Sequence, residues 1–130
     1  MKSLVKRAVV VEDSVQFLEL IKMVLGNLGI EEIAEATNGK EAIDAIRDGG
    51  ADVVVMDWKM DIMDGLECTR LIRSGIEGID PATKIILLTG ETGPDAERTA
   101  YASGVNLFLE KPFSLKKLHA GVTKVLADAS

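Results

Sequence analysis

The stretch Val53–Gly65 reads VVVMDWKMDIMDG, and its pattern gives the clearest indication of fold in the chain. Four apolar residues lead directly into Asp57, and a second acidic turn precedes the final glycine. A short run that is almost continuously apolar and rich in β-branched residues predicts a strand covered on both faces, as parallel strands are. On its own Asp57 could equally be a loop acid, so its role depends on what stands at the ends of the other strands.

Short β-branched runs alternate with longer stretches of helical period along the chain. The predicted strands are RAVVVE (7–12), EIAEA (32–36), ADVVVMD (51–57), KIILLT (84–89) and VNLFLE (105–110). The residues that predict helix starts are Asp13 or Ser14, Asn38 with Glu41 as a capping box, Asp64, and Pro94. This alternation predicts right-handed crossovers and an α/β fold, with helices on both faces of a parallel sheet.

Composition excludes several classes of protein. The length of 130 residues suits one domain, and 47% hydrophobic with 28% charged residues is an ordinary globular balance. The net charge of −6 disfavours nucleic acid as a direct partner. A single cysteine, Cys68, allows no intrachain disulfide, and no stretch approaches the length of a membrane span. We therefore expect a cytoplasmic chain with no nucleic-acid or membrane partner, forming one domain over residues 1–130 without an output domain.

Chemically active side chains follow the predicted strands at their carboxyl ends. These ends share one edge of a parallel sheet, and open α/β sheets bind ligands there. These ends carry three carboxylates, a hydroxyl and an ammonium. The carboxylates are Glu12, Asp13 and Asp57, the hydroxyl is Thr89 and the ammonium is Lys111. Each has an ordinary explanation alone, as a helix cap, a loop acid, a strand hydroxyl or a solvated lysine. Their predicted convergence favours one shared site.

The chemistry of these groups points to phosphoryl transfer. Clustered carboxylates repel one another unless a cation neutralises them. Mg²⁺ suits such oxygen ligands, because it takes one or two protein carboxylates and fills its shell with water and phosphate oxygens. A lysine and a hydroxyl can neutralise and hydrogen-bond a phosphoryl group. We therefore predict Mg²⁺ as the cofactor and Asp57 as a nucleophile that accepts a phosphoryl group.

Four stretches, in this order and spacing, resemble the receiver domain of two-component response regulators over essentially the whole chain. They are VVVEDS (9–14), VVVMDWKMDIMDG (53–65), IILLTG (85–90) and LEKPF (109–113). The resemblance implies a flavodoxin-like five-stranded sheet in the order 2-1-3-4-5. It also implies that a sensor histidine kinase or a histidine phosphotransfer protein donates the phosphoryl group. The signal would pass to a downstream protein by contact, in chemotaxis-type motor control or in a phosphorelay.

The resemblance implies a role for each residue of the site. Mg²⁺ would be held by the carboxylates of Glu12, Asp13 and Asp57 and by the main-chain carbonyl of Lys59. Thr89 would move toward a phosphoryl oxygen as part of the switch.

On the fifth strand, the resemblance implies that Lys111 pairs with the phosphoryl group and that its bond to Pro112 is cis. Phe108, three residues before the lysine, stands at the aromatic switch position, where the family often has tyrosine. Without a hydroxyl it can act only by burial of its ring, and Tyr101 on the preceding helix could partly substitute. A second departure is Asp61, which occupies a position where the family usually has proline, so we expect a more mobile and more acidic loop.

Two other classes of protein compete with the receiver domain as explanations of this sequence. An aspartate-dependent phosphatase asks for a second aspartate two residues after the nucleophile, where this chain has Lys59. A flavodoxin-like cofactor binder wants a Ser/Thr/Gly-rich loop after the first strand, where this chain offers EDSVQF. We expect a phosphoacceptor with slow self-dephosphorylation rather than an enzyme, and predict that Lys59 and Glu91 form a lid that hinders water.

Overall fold

A computed structural model describes residues 6–90 and 93–128 of the chain. Five parallel strands form one sheet in the order β2-β1-β3-β4-β5, which confirms the predicted flavodoxin-like α/β fold. The strands are β1 Arg7–Val11, β2 Glu32–Ala36, β3 Val53–Asp57, β4 Ile85–Thr89 and β5 Leu107–Glu110. The helices are α1 Val15–Asn27, α2 Gly39–Gly49, α3 Gly65–Arg73, α4 Pro94–Ser103 and α5 Leu115–Ala127, with a short 3-10 turn at Ile76–Gly78.

The sheet separates two apolar layers, because successive side chains of a strand point to opposite faces. Val53 and Val55 of β3 pack with α1 and α5, whereas Val54 and Met56 pack with α2, α3 and α4. All four are fully buried. By the same alternation, Asp57 at the end of β3 falls on the face of α1 and α5.

The helices begin where the sequence predicts, with one difference of detail. Ser14, rather than Asp13, caps α1. Asn38 caps α2 by accepting the backbone N–H of Glu41 at 2.9 Å. The Glu41 carboxylate does not return the bond to Asn38 as a capping box would. It accepts hydrogen bonds from the N–H and the hydroxyl of Thr37 instead, both at 2.9 Å. The partner of Glu41 is therefore the residue before the cap and not the cap itself.

Two strands begin later than their apolar runs suggest, because side chains take over ladder hydrogen bonds. The Asp52 carboxylate accepts the backbone N–H of Arg7 at 2.8 Å, and β3 starts one residue later at Val53. The Asn106 side-chain oxygen accepts the N–H of Ile85 at 2.7 Å, and β5 starts at the next residue. Across the described chain, no helix has both the length and the apolar character that crossing a membrane requires.

Candidate functional site

Three carboxylates meet at the carboxyl edge of the sheet. Glu12 follows β1 directly, Asp13 is its neighbour, and Asp57 ends β3. One oxygen atom from each lies within 4.8 Å of the other two, and no second group of potential ligands like this occurs within residues 6–90 and 93–128. Glu12 is buried and Asp13 is exposed, so the cluster opens to solvent on the Asp13 side.

Backbone hydrogen bonds fix the positions of these acids. The N–H of Glu12 donates to the carbonyl of Ala36 in β2 at 3.1 Å, which extends the strand pairing past the end of β1. The Glu12 carboxylate accepts the N–H of Ser14 at 3.1 Å. On β3, Asp57 stands in register with Leu88 of β4, and the next backbone N–H donates to the Leu88 carbonyl at 2.9 Å. Glu12 and Asp57 are therefore held at the edge by the pairing of the strands.

Lys111 brings a positive charge into the cluster. Its backbone N–H donates to the carbonyl of Thr89 at 2.7 Å, which places it at the end of β4 and β5. Its ammonium donates to the Glu12 carboxylate at 2.9 Å and lies 3.4 Å from the nearer Asp57 oxygen. The Lys111 side chain is 16% exposed. Such charge-assisted contacts are shorter and stronger than neutral hydrogen bonds, and they offset part of the repulsion between the acids.

Burial raises the pKa of the Asp57 carboxyl, and the nearby charge of Glu12 raises it further. The ammonium of Lys111 opposes both effects. The positive charge of Lys111 thus offsets only part of the cost of ionising Asp57 in the protein. Three hard oxygen donors, one of them open to solvent, match the ligands of Mg²⁺. The donor set therefore fits a divalent cation, which would relieve the repulsion.

Thr89 shares this edge of the sheet but not the face of the acids. It ends β4, is 1% exposed, and pairs with Glu110 in the ladder. Strand alternation places its side chain with Leu87 on the side of α3 and α4, opposite to Asp57. The structure thus brings four of the five predicted groups together, and Thr89 stands beside them on the other face.

Phe108 is the second residue of β5 and lies in the core layer beneath α4. It is 8% exposed, so its ring is already buried. Its backbone N–H donates to the hydroxyl of Tyr101 at 3.2 Å. Tyr101 belongs to α4 and is 41% exposed. The Tyr101 hydroxyl of α4 is therefore bonded to the backbone at Phe108, and its substitution for a switch tyrosine stays a prediction.

The loop after β3 packs closely on the strand end. The N–H of Gly65 donates to the carbonyl of Trp58 at 2.7 Å, and a Cβ at Gly65 would stand 2.6 Å from the carbonyl oxygen of Asp57. Lys59 is exposed in this loop, two residues past the acceptor candidate. Its predicted partner in the lid, Glu91, lies outside the described residues, so the lid stays a prediction.

The Asp61 position is part of a tight turn. The N–H of Met63 donates to the Asp61 carbonyl at 2.7 Å, and Ile62 between them adopts a left-handed φ of 69°. A β-branched residue rarely takes this conformation, which is strained. Ile62 is also 78% exposed. The loop that lacks the family's proline is thus closed by its own backbone hydrogen bond.

Two aromatic residues at the site were not recognised from the sequence. Phe17 falls in the apolar period of α1, and such a period by itself indicates a side chain that faces the core. Its ring instead lies under the ammonium of Lys111, whose nitrogen is 4.4 Å from the ring centroid. Phe113 packs against the same ring at 5.6 Å between centroids. One signal in the sequence points this way, since Phe17 stands one helical turn beyond Asp13 and so near the carboxyl edge.

Comparison with known proteins gives a consistent picture. A family model described as response regulator receiver domain matches residues 8–123. The chemotaxis protein CheY1 of Helicobacter pylori is 35% identical over 122 residues, which cover 92% of this chain and 96% of that protein. A chemotaxis protein CheY homolog of Campylobacter jejuni is 34% identical, with 95% of both chains covered. The solved structure of Vibrio cholerae chemotaxis protein CheY4 has a TM-score of 0.81 at 27% identity, covering 93% of this chain and 98% of that one.

Proposed function

The chain belongs to the response regulator receiver domain family, whose members act as phospho-aspartate switches rather than as classical enzymes, and on that premise we propose that Asp57 is its phosphoacceptor. The observation that carries the proposal is the position of Lys111, whose ammonium bonds Glu12 and reaches to 3.4 Å from Asp57. A cation in that place can neutralise charge on a phosphoryl group bound to the acid. Because the chain belongs to the receiver family, it is neither a phosphatase nor a flavodoxin-like cofactor binder of the kinds set out above.

The transfer needs little beyond positioning and charge. An ionised Asp57 oxygen forms a bond to phosphorus while the bond from phosphorus to the donor breaks, and the donor group leaves with the electron pair. Lys111 neutralises charge on the transferring group and holds it against the strand end. No proton has to leave Asp57 during the transfer, provided that the carboxyl is already ionised.

We further propose Mg²⁺ as the resident cation, held by Glu12, Asp13 and Asp57 with the main-chain carbonyl of Lys59 as an additional ligand. The support is the chemistry of the donor set, which consists of hard carboxylate oxygens within 4.8 Å of one another. When bound, the ion supplies positive charge at the oxygens of the phosphoryl group. Its absence would leave the acids repelling one another, with the ammonium of Lys111 offsetting part of that repulsion at Glu12 and Asp57.

The switch is proposed to involve Thr89 and Phe108. Both lie on the face of α3 and α4, one at the end of β4 and the other in β5. Movement of the Thr89 hydroxyl toward a phosphoryl oxygen would open space on that face. The Tyr101 hydroxyl, which accepts the N–H of Phe108, links any such change to α4.

The proposed donor is a sensor histidine kinase or a histidine phosphotransfer protein, and the target is a downstream protein. Similarity to several chemotaxis proteins supports a role in chemotaxis-type control. A phosphorelay shuttle would differ from a chemotaxis-type regulator in one step, because it would pass its phosphoryl group on to a second histidine. We propose a cytoplasmic location and one receiver domain over residues 1–130.

The test is labelling by a small phosphodonor. Incubating the chain with acetyl phosphate and Mg²⁺ should add one phosphoryl group that survives acid and is lost in base, as acyl phosphates are. Asp57→Asn should abolish it, and Asp61→Asn, a change in the neighbouring loop, should leave it in place. Undiminished labelling of Asp57→Asn would overturn the assignment.

A further inference from the structure

A pair of aromatic rings lies against the ammonium of Lys111. The nitrogen is 4.4 Å from the centroid of Phe17, in the first turn of α1. The Phe17 ring in turn packs on Phe113, with centroids 5.6 Å apart and planes 44° apart. Both rings are partly buried. Phe113 follows Lys111 by two residues, so the pair joins α1 to the loop between β5 and α5.

The ring offers Lys111 an attraction that does not depend on the state of the acids. A cation over an aromatic face is attracted by the ring quadrupole, and more strongly where water is excluded. The attraction of Lys111 to Asp57 does depend on that state, because the Asp57 carboxylate becomes part of an acyl phosphate when it is phosphorylated. Lys111 must then turn from an Asp57 oxygen to the phosphoryl oxygens. Phe17 can hold the ammonium at the edge through that change.

We propose that Phe17 is a positioning residue for phosphoryl transfer, which holds the Lys111 ammonium at the acceptor while Phe113 supports the ring. This inference rests on the proposed function of Asp57. Phe17 acts through Lys111 and takes no part in bond making itself.

The physical reason is the freedom of the lysine side chain. Lysine has four rotatable bonds and loses much rotamer freedom when it is held in one place. In the transfer, an Asp57 oxygen bonds to phosphorus, the phosphorus–oxygen bond of acetyl phosphate breaks, and acetate leaves with the electron pair. The ammonium must be in place during that step to neutralise charge. Without the ring, the lysine spends more of its time turned away into solvent.

The experiment compares Phe17→Leu, which keeps apolar bulk and removes the ring, with Phe17→Tyr, which keeps the ring. The first readout is the second-order rate constant for labelling by acetyl phosphate at saturating Mg²⁺. The second is the proton chemical shift of the Lys111 ε-methylene group, which a ring beneath it displaces. Leu25→Val, a change in the buried part of α1, serves as the control for a general loss of stability.

We expect Phe17→Leu to label about three- to tenfold more slowly, on the scale of one cation–π contact, and to lose the ring-induced shift. Phe17→Tyr should stay within about twofold of the parent, and so should Leu25→Val. A Phe17→Leu chain that is labelled at the parent's rate overturns the inference. So does a Phe17→Tyr chain as slow as the leucine variant.

Failure of the underlying function is seen separately. If the parent chain takes no label, the proposal for Asp57 falls. If the parent is labelled and Asp57→Asn is not, yet Phe17→Leu behaves like the parent, only the role of Phe17 is wrong. Should Phe17→Leu fold poorly, Phe17→Met provides a second unringed side chain of similar length for the same comparison.

Discussion

Burial and the charge of Glu12 raise the pKa of Asp57, and Lys111 opposes them only in part. A raised pKa means that the folded chain binds this proton more tightly than the unfolded chain does. The stabilising contribution of the protonated acid is therefore complete below the unfolded pKa, near 3.9, and is lost as the pH rises through the higher folded pKa. At neutral pH without a cation, the ionised carboxylate of Asp57, the proposed phosphoacceptor, therefore lowers the stability of the fold.

We therefore expect Asp57→Asn to be more stable than the parent at neutral pH in the presence of a chelator. The difference should shrink as the pH falls and vanish below about pH 4, where the acid is protonated in both states. Urea unfolding across this pH range measures it. Glu31→Gln, a change of an exposed carboxylate, should show no comparable gap. A parent chain more stable than Asp57→Asn at neutral pH would contradict the account.

Gly65 is a second residue that the site requires. A Cβ there would stand 2.6 Å from the Asp57 carbonyl oxygen and 2.7 Å from Leu87 Cδ1, and the backbone oxygen cannot give way easily. We expect Gly65→Ala to lower the free energy of unfolding by about 1–3 kcal/mol through overpacking. Gly26, exposed within α1, has nothing within 4 Å of an added Cβ. Gly26→Ala should raise the free energy of unfolding by about 0.5–1 kcal/mol. Urea unfolding measures both variants. Equal effects of Gly65→Ala and Gly26→Ala would contradict the close packing at Gly65.

Among the elements, α4 is anchored at one end. Its buried residues, Ala100 and Ser103, both lie in its second half, and it ends at Gly104 with a left-handed φ of 111°. Arg73 of α3 binds this end, donating from Nε to the Gly104 carbonyl and from Nη2 to the Asn106 side chain, both at 2.8 Å. The arginine thus ties the end of α4 to the start of β5.

We expect Arg73→Lys to lower the free energy of unfolding by about 1–3 kcal/mol, because an ammonium cannot reproduce the fork that reaches these acceptors. Exchange of the Ile85 amide proton should also speed up, since its acceptor is the Asn106 oxygen that Arg73 holds. Arg70→Lys, an exposed change on the same helix, is the matched control. Parent-like stability and exchange in Arg73→Lys would show that the fork is dispensable.

The elements also show how far sequence patterns reach. The type and order of the helices and strands follow from apolar periods and from caps such as Asn38 and Asp64, both of which cap their helices, although Asn38 does so without the predicted box. The strand limits do not, because Asp52 and Asn106 replace ladder bonds with side-chain bonds that no apolar pattern encodes. The three acids at the site follow from strand ends alone. The contact between Phe17 and Lys111 joins residues far apart in the chain, so the period of α1 could not reveal it.

At the scale of the whole molecule, a chain of net charge −6 gathers three acids at one edge and places the ammonium of Lys111 against two of them. A cation that binds the folded chain but not the unfolded chain stabilises the folded state by mass action. The edge is also joined to the core, because Trp58, the sole tryptophan, packs partly buried against the layer under α2, α3 and α4. Filling of the cation site should therefore be measurable both as stability and as a tryptophan signal.

We expect Mg²⁺ at about one hundred times its dissociation constant to raise the free energy of unfolding by about 2.7 kcal/mol. Asp13→Asn should lose most of this gain, because it removes an exposed ligand with little effect on packing. Thermal melts at matched ionic strength measure the effect, and Trp58 fluorescence follows binding independently. Equal stabilisation of the parent and Asp13→Asn by Mg²⁺ would show that the ion binds elsewhere.

The most direct test of the central claim is reduction of the phosphorylated chain with borohydride, followed by mass spectrometry of its peptides. Borohydride reduces an acyl phosphate to an alcohol and so converts the aspartate that carried it into homoserine. After treatment with acetyl phosphate and Mg²⁺, we expect homoserine at Asp57 and at no other acid, with none formed when Mg²⁺ is chelated. Reduction at Glu12 or Asp13, or its absence from Asp57 in a chain that has taken up phosphate, would contradict the account.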